Sequence, residues 1–198
     1  NKINKDLYIH NRKNFIANMK SNSLAVFNSN DIITTSADST MPFVQHNDIL
    51  HLSGVDQEES ILVLFPDASN NSQREILFLK ETSDSIKIWE GEKLTKEAAF
   101  ETSGIKTVYW LEQFEQVFNQ LMTESKTVYY NVNQHTRANT ETETREDRFI
   151  KWCKQKYPAH GIAQSAPIMH KIRATKHPIE IELMQQACDN PEQGVRRI

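Results

Sequence analysis

Thr34-Thr35-Ser36-Ala37-Asp38-Ser39-Thr40-Met41-Pro42-Phe43 opens the stretch that decides the fold, and Asp48-Ile49-Leu50-His51-Leu52-Ser53-Gly54 follows it. Ser60-Ile61-Leu62-Val63-Leu64-Phe65 and Ile86-Lys87-Ile88-Trp89-Glu90-Gly91 complete it. The first piece is a loop of small polar residues around one carboxylate, Asp38. Pro42 holds Met41 extended and argues against a helix there. Residues 48–52 alternate, with Ile49 and His51 on one face and Leu50 and Leu52 on the other, which reads as a strand ending in Ser-Gly. Residues 60–65 and 75–79 are near-continuous apolar runs, suited to strands covered on both faces. The polar residues 66–72 between them read as a hairpin loop. Residues 86–89 read as a further strand that ends in a Trp-Glu-Gly turn.

Outward from this stretch the pattern alternates between helix and strand. Residues 4–20 place Tyr8, Phe15, Ile16 and Met19 on one helical face. Residues 24–27 form a short buried strand, and residues 32–35 a second strand running into the Asp38 loop. Residues 95–102 are a short helix with Thr95 as its N-cap and Ser103-Gly104 as its stop. Residues 105–109 are a strand. Residues 111–122 carry Phe114, Val117, Phe118 and Leu121 at i, i+3, i+4 and i+7, a helical stripe. Residues 127–130 are again a strand, so this β-α-β run favours a crossover between parallel strands. Residues 132–147 are polar and Thr-rich, a solvated loop or frayed helix start. Residues 148–156 are helical, with Phe149, Trp152 and Cys153 inward. The sum predicts an α/β domain: a mixed sheet of about five or six strands with helices on both faces.

Composition narrows the function classes. The 198 residues are 38% hydrophobic, enough for a core because the apolar residues cluster. The formal net charge is -3, and no Lys/Arg block with interleaved aromatics occurs, which argues against a nucleic-acid partner. The longest apolar run, residues 61–65, is too short to span a bilayer, so no membrane partner is expected. Cys153 and Cys188 alone make no disulfide framework, and a reducing, cytoplasmic setting is the expectation. Asn1 in place of Met suggests a processed or trimmed terminus. Seven histidines invite a search for a metal site, yet neither His-Glu-x-x-His nor Cys-x-x-Cys is present. His46 and His51, five apart in a region read as extended, would point to opposite faces. No Gly-rich phosphate loop and no Gly-x-Ser-x-Gly element occurs.

The order and spacing of the acidic loop, the Ser-Gly element, the apolar strand and the Trp-Glu-Gly turn resemble the amino-terminal domain of the Xaa-Pro aminopeptidases. That family also holds prolidase and creatinase. Arg173-Ala174-Thr175-Lys176-His177-Pro178-Ile179-Glu180-Ile181-Glu182-Leu183 resembles the family's linker into its catalytic domain. The resemblance spans about residues 5–188 and is strongest over 34–91 and 171–188. It implies a creatinase-type amino-terminal domain, ribonuclease-H-like in architecture, over residues 1–172. Residues 173–198 would then be the linker and the first helix of a pita-bread metallopeptidase domain that the chain does not include. Pro178 suits the first helical position, and Ile179, Leu183, Met184 and Ala187 form a stripe behind it. Asn190-Pro191 should break or kink that helix, at roughly 3 kcal/mol for an interior proline.

By resemblance, the complete enzyme removes the first residue from peptides with proline second. Two divalent metals, usually manganese, would hold a bridging hydroxide that attacks the carbonyl before the proline. Their ligands, two Asp, one His and two Glu, would lie in the carboxy-terminal domain, so no metal and no catalytic residue is expected in this segment. Asp38 would recognise the substrate's free amino end, since a carboxylate suits a protonated amine. Trp89 would wall the pocket for the residue before proline, with its indole face as apolar area. A homo-oligomer is implied. The residues themselves leave other roles open: Asp38 can cap its own turn, and Trp89 can be a core residue at a strand end. Val44 stands where relatives frequently carry arginine, and Glu90 where they often carry an aromatic or apolar residue. His51 can touch the pocket rim or be a half-buried strand residue.

Three alternatives stay open at this point. One is a prolidase-type Xaa-Pro dipeptidase. Another is a non-catalytic binding module of the same fold, as in a histone chaperone subunit. The third is a ribonuclease-H-like nuclease using Asp31, Asp38, Asp48 and Asp56, against which the missing basic face weighs.

Overall fold

The computed structural model describes residues 3–83, 91–137 and 141–195, the last six of these as backbone only. Six strands form one mixed sheet in the order β4-β3-β2-β1-β5-β6. They are β1 Ser23–Asn28, β2 Ile61–Leu64, β3 Glu75–Leu79, β4 Thr107–Trp110, β5 Thr127–Tyr130 and β6 Gly161–Gln164. β1–β2 and β2–β3 pair antiparallel, whereas β3–β4, β1–β5 and β5–β6 pair parallel. The helices are α1 Lys5–Ile16, α2 Asn47–Ser53, α3 Lys96–Ser103, α4 Phe114–Glu124, α5 Arg145–Lys156, α6 Ala166–Ala174 and α7 Pro178–Val195.

The apolar runs of β1, β2 and β3 are buried on both faces because each face has its own helical cover. Alternate residues Ala25, Phe27, Leu62, Leu64, Leu77 and Leu79 join Phe15 of α1, Ile49 and Leu52 of α2, Ala99 of α3, and Ile168 and Met169 of α6. Their neighbours Leu24, Val26, Ile61, Val63, Ile76 and Phe78 join Phe118, Leu121 and Met122 of α4 and Phe149 and Cys153 of α5. Period-2 alternation thus feeds two cores, and the predicted α/β class with helices on both faces is the observed one.

Helix ends follow local chemistry. Thr95 caps α3 by accepting from Ala98 N–H at 3.1 Å, and Gly104 closes it at φ +74°. Thr144 and Asp147 cap α5 reciprocally. The helix predicted over 111–122 splits into a 3-10 turn, Leu111–Gln113, and α4.

Four sequence readings change. Residues 48–52 are not a strand but lie in α2, where the buried pair is Ile49 and Leu52, an i, i+3 helical spacing. His46 caps α2, with Nδ1 accepting from Asp48 N–H at 3.2 Å. Gly54 ends it at φ +70°, where a Cβ would sit 2.4 Å from the Tyr8 ring. Residues 32–35 are not a ladder strand: the last bond of β1's edge is Ser29 N–H to Ser60 carbonyl, and Ile32 and Ile33 then face solvent. Only the bridge Thr34↔Thr40 remains of the expected pairing. β6 and α6 went unread in the sequence. Finally, α7 starts at Pro178 as predicted but runs through Asn190-Pro191 to Val195. Proline's own φ is compatible with a helix, so the chain need not leave it, although the ring costs a ladder bond and crowds the carbonyl four residues earlier. The strand expected over 86–89 lies outside the described residues.

Candidate functional site

The Asp38 loop is a small hairpin built from backbone bonds. Met41 N–H donates to Ile33 carbonyl, Thr35 N–H to Ser39 carbonyl and Ser39 N–H to Ser36 carbonyl, each at 2.9 Å. Ala37 sits in the left-handed region at φ +51°, which turns the chain at the tip and costs about 1–2 kcal/mol for a residue with a Cβ. The backbone closes this turn. Asp38 is exposed, and among the described residues its carboxylate takes no hydrogen bond. Ile33, Met41 and Val44 flank it, exposed at 61%, 52% and 71%. The tip therefore combines a free carboxylate with apolar shoulders, a surface that suits a protonated amine beside a hydrophobic neighbour.

The root of the hairpin is fixed by one buried amide. Gln45 Nε2 donates to Val55 carbonyl at 3.1 Å, Gln57 carbonyl at 2.9 Å and Ser60 Oγ at 3.2 Å. Its Oε1 accepts from His46 N–H at 2.8 Å. Asn30 Nδ2 adds a bond to Val44 carbonyl at 3.0 Å, and Arg148 pairs with Asp31 at 2.6 Å.

Trp89, the second predicted substrate-facing residue, lies outside the described residues. The flanks of its segment are described, and both return to the loop over residues 55–60. Lys80 pairs with Glu59 at 2.9 Å, Lys93 pairs with Glu58, and Leu94 N–H donates to Gln57 Oε1 at 2.7 Å. Residues 55–60 thus anchor the Asp38 hairpin on one side and, on the other, Lys80, Lys93 and Leu94, which flank residues 84–90. Gln45 and Gln57 are the positioning residues that sequence reading missed. Nothing in a run such as Phe43-Val44-Gln45-His46 marks its amide as buried.

The remaining candidates separate. His51 sits on α2, not on a strand, with Nδ1 3.9 Å from Glu180 Oε1. Cys153 is buried in the core. Of the four aspartates cast as a nuclease set, Asp31 pairs with Arg148 and Asp48 with Arg173, while Asp38 and Asp56 are exposed. At the ends of β1 and β5 a half-buried carboxylate, Glu146, is held by Asn28 Nδ2 at 2.7 Å and Asn131 N–H at 3.1 Å. Burial raises its pKa, and those two donors offset only part of the rise. Among the described residues no three His, Cys, Asp or Glu side chains converge as a metal-binding group.

The fold defines the class first: a three-layer α/β domain shared with solved aminopeptidase P structures. A Bacillus anthracis protein provisionally assigned as an aminopeptidase P superposes at TM-score 0.82 with 24% identity, over 92% of this chain and 43% of that one. The sequence then supplies the family. Residues 8–129 match the family described as aminopeptidase P, N-terminal domain, and the chain belongs to it. The chain is 29% identical to human Xaa-Pro aminopeptidase 3 over 161 residues, covering 80% of this chain and 31% of the relative. It is 26% identical to the Escherichia coli Xaa-Pro aminopeptidase over 188 residues, covering 93% of this chain and 42% of the relative. The chain therefore spans less than half the length of these relatives.

Proposed function

We propose that this chain is the non-catalytic amino-terminal part of a proline-specific metallo-aminopeptidase, and that it shapes the pocket for the substrate's amino end. The family match over 8–129, with relatives named Xaa-Pro aminopeptidase that are more than twice as long, carries this reading. Residues 1–172 would form the amino-terminal domain and residues 173–198 the linker and first helix of a carboxy-terminal catalytic domain. The free carboxylate of Asp38 would bind the substrate ammonium group, and Trp89 would wall the neighbouring subsite. The apolar shoulders Ile33, Met41 and Val44 would pack against that catalytic domain or a second subunit of a homo-oligomer.

The pair of divalent metals implied by the resemblance, manganese by expectation, does not fit the described side chains of this segment, which gather no suitable donor set. Its ligands would have to come from the remainder of the protein. No described helix is long and apolar enough to cross a membrane, and a cytoplasmic setting remains our proposal.

The test is Asp38→Asn in the protein that extends past Ile198, assayed on Xaa-Pro peptides with and without a free amino terminus. A charged hydrogen bond of about 1.5–3 kcal/mol corresponds to a loss of roughly 10- to 100-fold in kcat/KM. That loss should fall on the free-amino substrate only. Equal losses on the blocked and free peptides, or no loss on either, would refute the role of Asp38.

A further inference from the structure

The junction between α2, α6 and α7 holds four histidines, and two of them act as helix caps. His46 Nδ1 accepts from Asp48 N–H at 3.2 Å at the start of α2. His177 Nδ1 accepts from Ile179 N–H at 3.2 Å at the start of α7, while Glu180 Oε2 accepts from His177 N–H at 2.8 Å. A backbone N–H can only donate, so each capping nitrogen must present a lone pair. Ser, Thr, Asp and Asn caps keep that lone pair at any physiological pH, whereas an imidazole gives it up on taking its second proton.

The surroundings join these two caps into one unit. Glu180 caps α7 through Oε2 and faces His51 of α2 through Oε1, at 3.9 Å. Arg173 of α6 donates to Asp48 at 2.9 Å, the residue whose N–H His46 caps. From α1, His10 packs its ring 4.6 Å from that of His177, and Asn14 meets His10 Nε2 at 2.9 Å. Arg12, also on α1, is turned away to Glu75 and Leu52 carbonyl. Lys176 lies in the link and donates to Arg173 carbonyl. Of the charges of α3, Lys96 lies over Trp110 and Glu101 pairs with Lys5.

We propose that this junction is an acid-sensitive latch, in which protonation of His46 and His177 breaks both caps and loosens α7 from α1 and α2. A second proton on either ring sets N–H against N–H where a hydrogen bond stood. The carboxylates of Asp48 and Glu180 oppose this, but both are already engaged.

The balance of charge and burial agrees in sign. Burial holds His46 below the usual imidazole range; Asp48 pulls it back up and Arg173 lowers it. Burial also lowers His51, then Glu180 raises it, Arg173 lowers it, Asp48 raises it and Lys176 lowers it. For His46 and His51, whose folded pKa values are depressed, the stabilisation of the latched form is full above about pH 6.5. That stabilisation is lost as pH falls from there through the folded-state value. The latch therefore opens on acidification, not on alkalinisation.

Amide hydrogen exchange on the 198-residue chain reads the latch directly, compared at about pH 7.5 and about pH 5 after correction for intrinsic rates. Loss of one hydrogen bond should reduce protection about 10-fold at Asp48 and Ile179. Ala98, capped by the hydroxyl of Thr95, should not change. The double variant His46→Asn and His177→Asn keeps a cap acceptor that does not titrate in this range, and should remove the pH dependence. Unchanged protection at Asp48 and Ile179 would overturn the proposal, as would a parallel fall at Ala98 or a pH dependence that survives in the variant.

Discussion

Gln45 shows how much one buried side chain can position. Its amide meets three acceptors on residues 55–60 and one donor at His46, so both ends are satisfied inside the protein. Gln45→Leu would keep the volume roughly and strip the Val55 carbonyl and the His46 N–H of their partner, whereas the Gln57 carbonyl keeps the hydroxyl of Ser60. Each such group costs about 1–3 kcal/mol, so a loss of about 3 kcal/mol is expected in urea unfolding. A change below about 0.5 kcal/mol, the range of an ordinary surface substitution, would contradict the anchoring role. Such an amide is illegible in sequence, because its partners lie 10 to 15 positions away and are partly backbone. The exposure of Asp38 was legible for the opposite reason. It stands among small residues that cannot cover it, and the structure leaves it exposed.

At the scale of elements, patterns with a strong period were readable and short ones were not. α4 carries an apolar stripe whose centre, Phe118, meets Phe114, Phe149, Trp152 and Tyr157 at ring-centroid distances of 5.1 to 5.8 Å. Phe118→Ala should cost about 3–5 kcal/mol, measured by denaturant midpoint at unchanged m-value. A cost under about 1 kcal/mol would mean that the aromatic cluster collapses onto the cavity. α2 failed as a reading because seven residues give one pair at i, i+3 and an equally good alternation. Its cap is an imidazole, a residue that sequence rules do not count as a start signal. β6 was missed because it is an edge strand, Gly161-Ile162-Ala163-Gln164, exposed over its first half and short of β-branched residues. Pro191 was read as a break or kink because an interior proline is costly. The helix assignment nonetheless continues through it to Val195, so the chain does not break there.

At the scale of the whole molecule, a six-stranded sheet covered on both faces holds one loop, residues 55–60, to which the Asp38 hairpin and the flanks of the Trp89 segment are both tied. The sheet and the two cores were legible because continuous apolar strands need cover on each side. The shared anchor was not, because it joins residues far apart in the chain. What the arrangement does is proposed to depend on a catalytic partner domain beyond α7. The most direct measurement is Xaa-Pro peptide turnover with manganese, run side by side on the 198-residue chain and on the protein extended past Ile198. Turnover by the extended protein alone is the predicted result; turnover by the 198-residue chain, or by neither, would contradict the account.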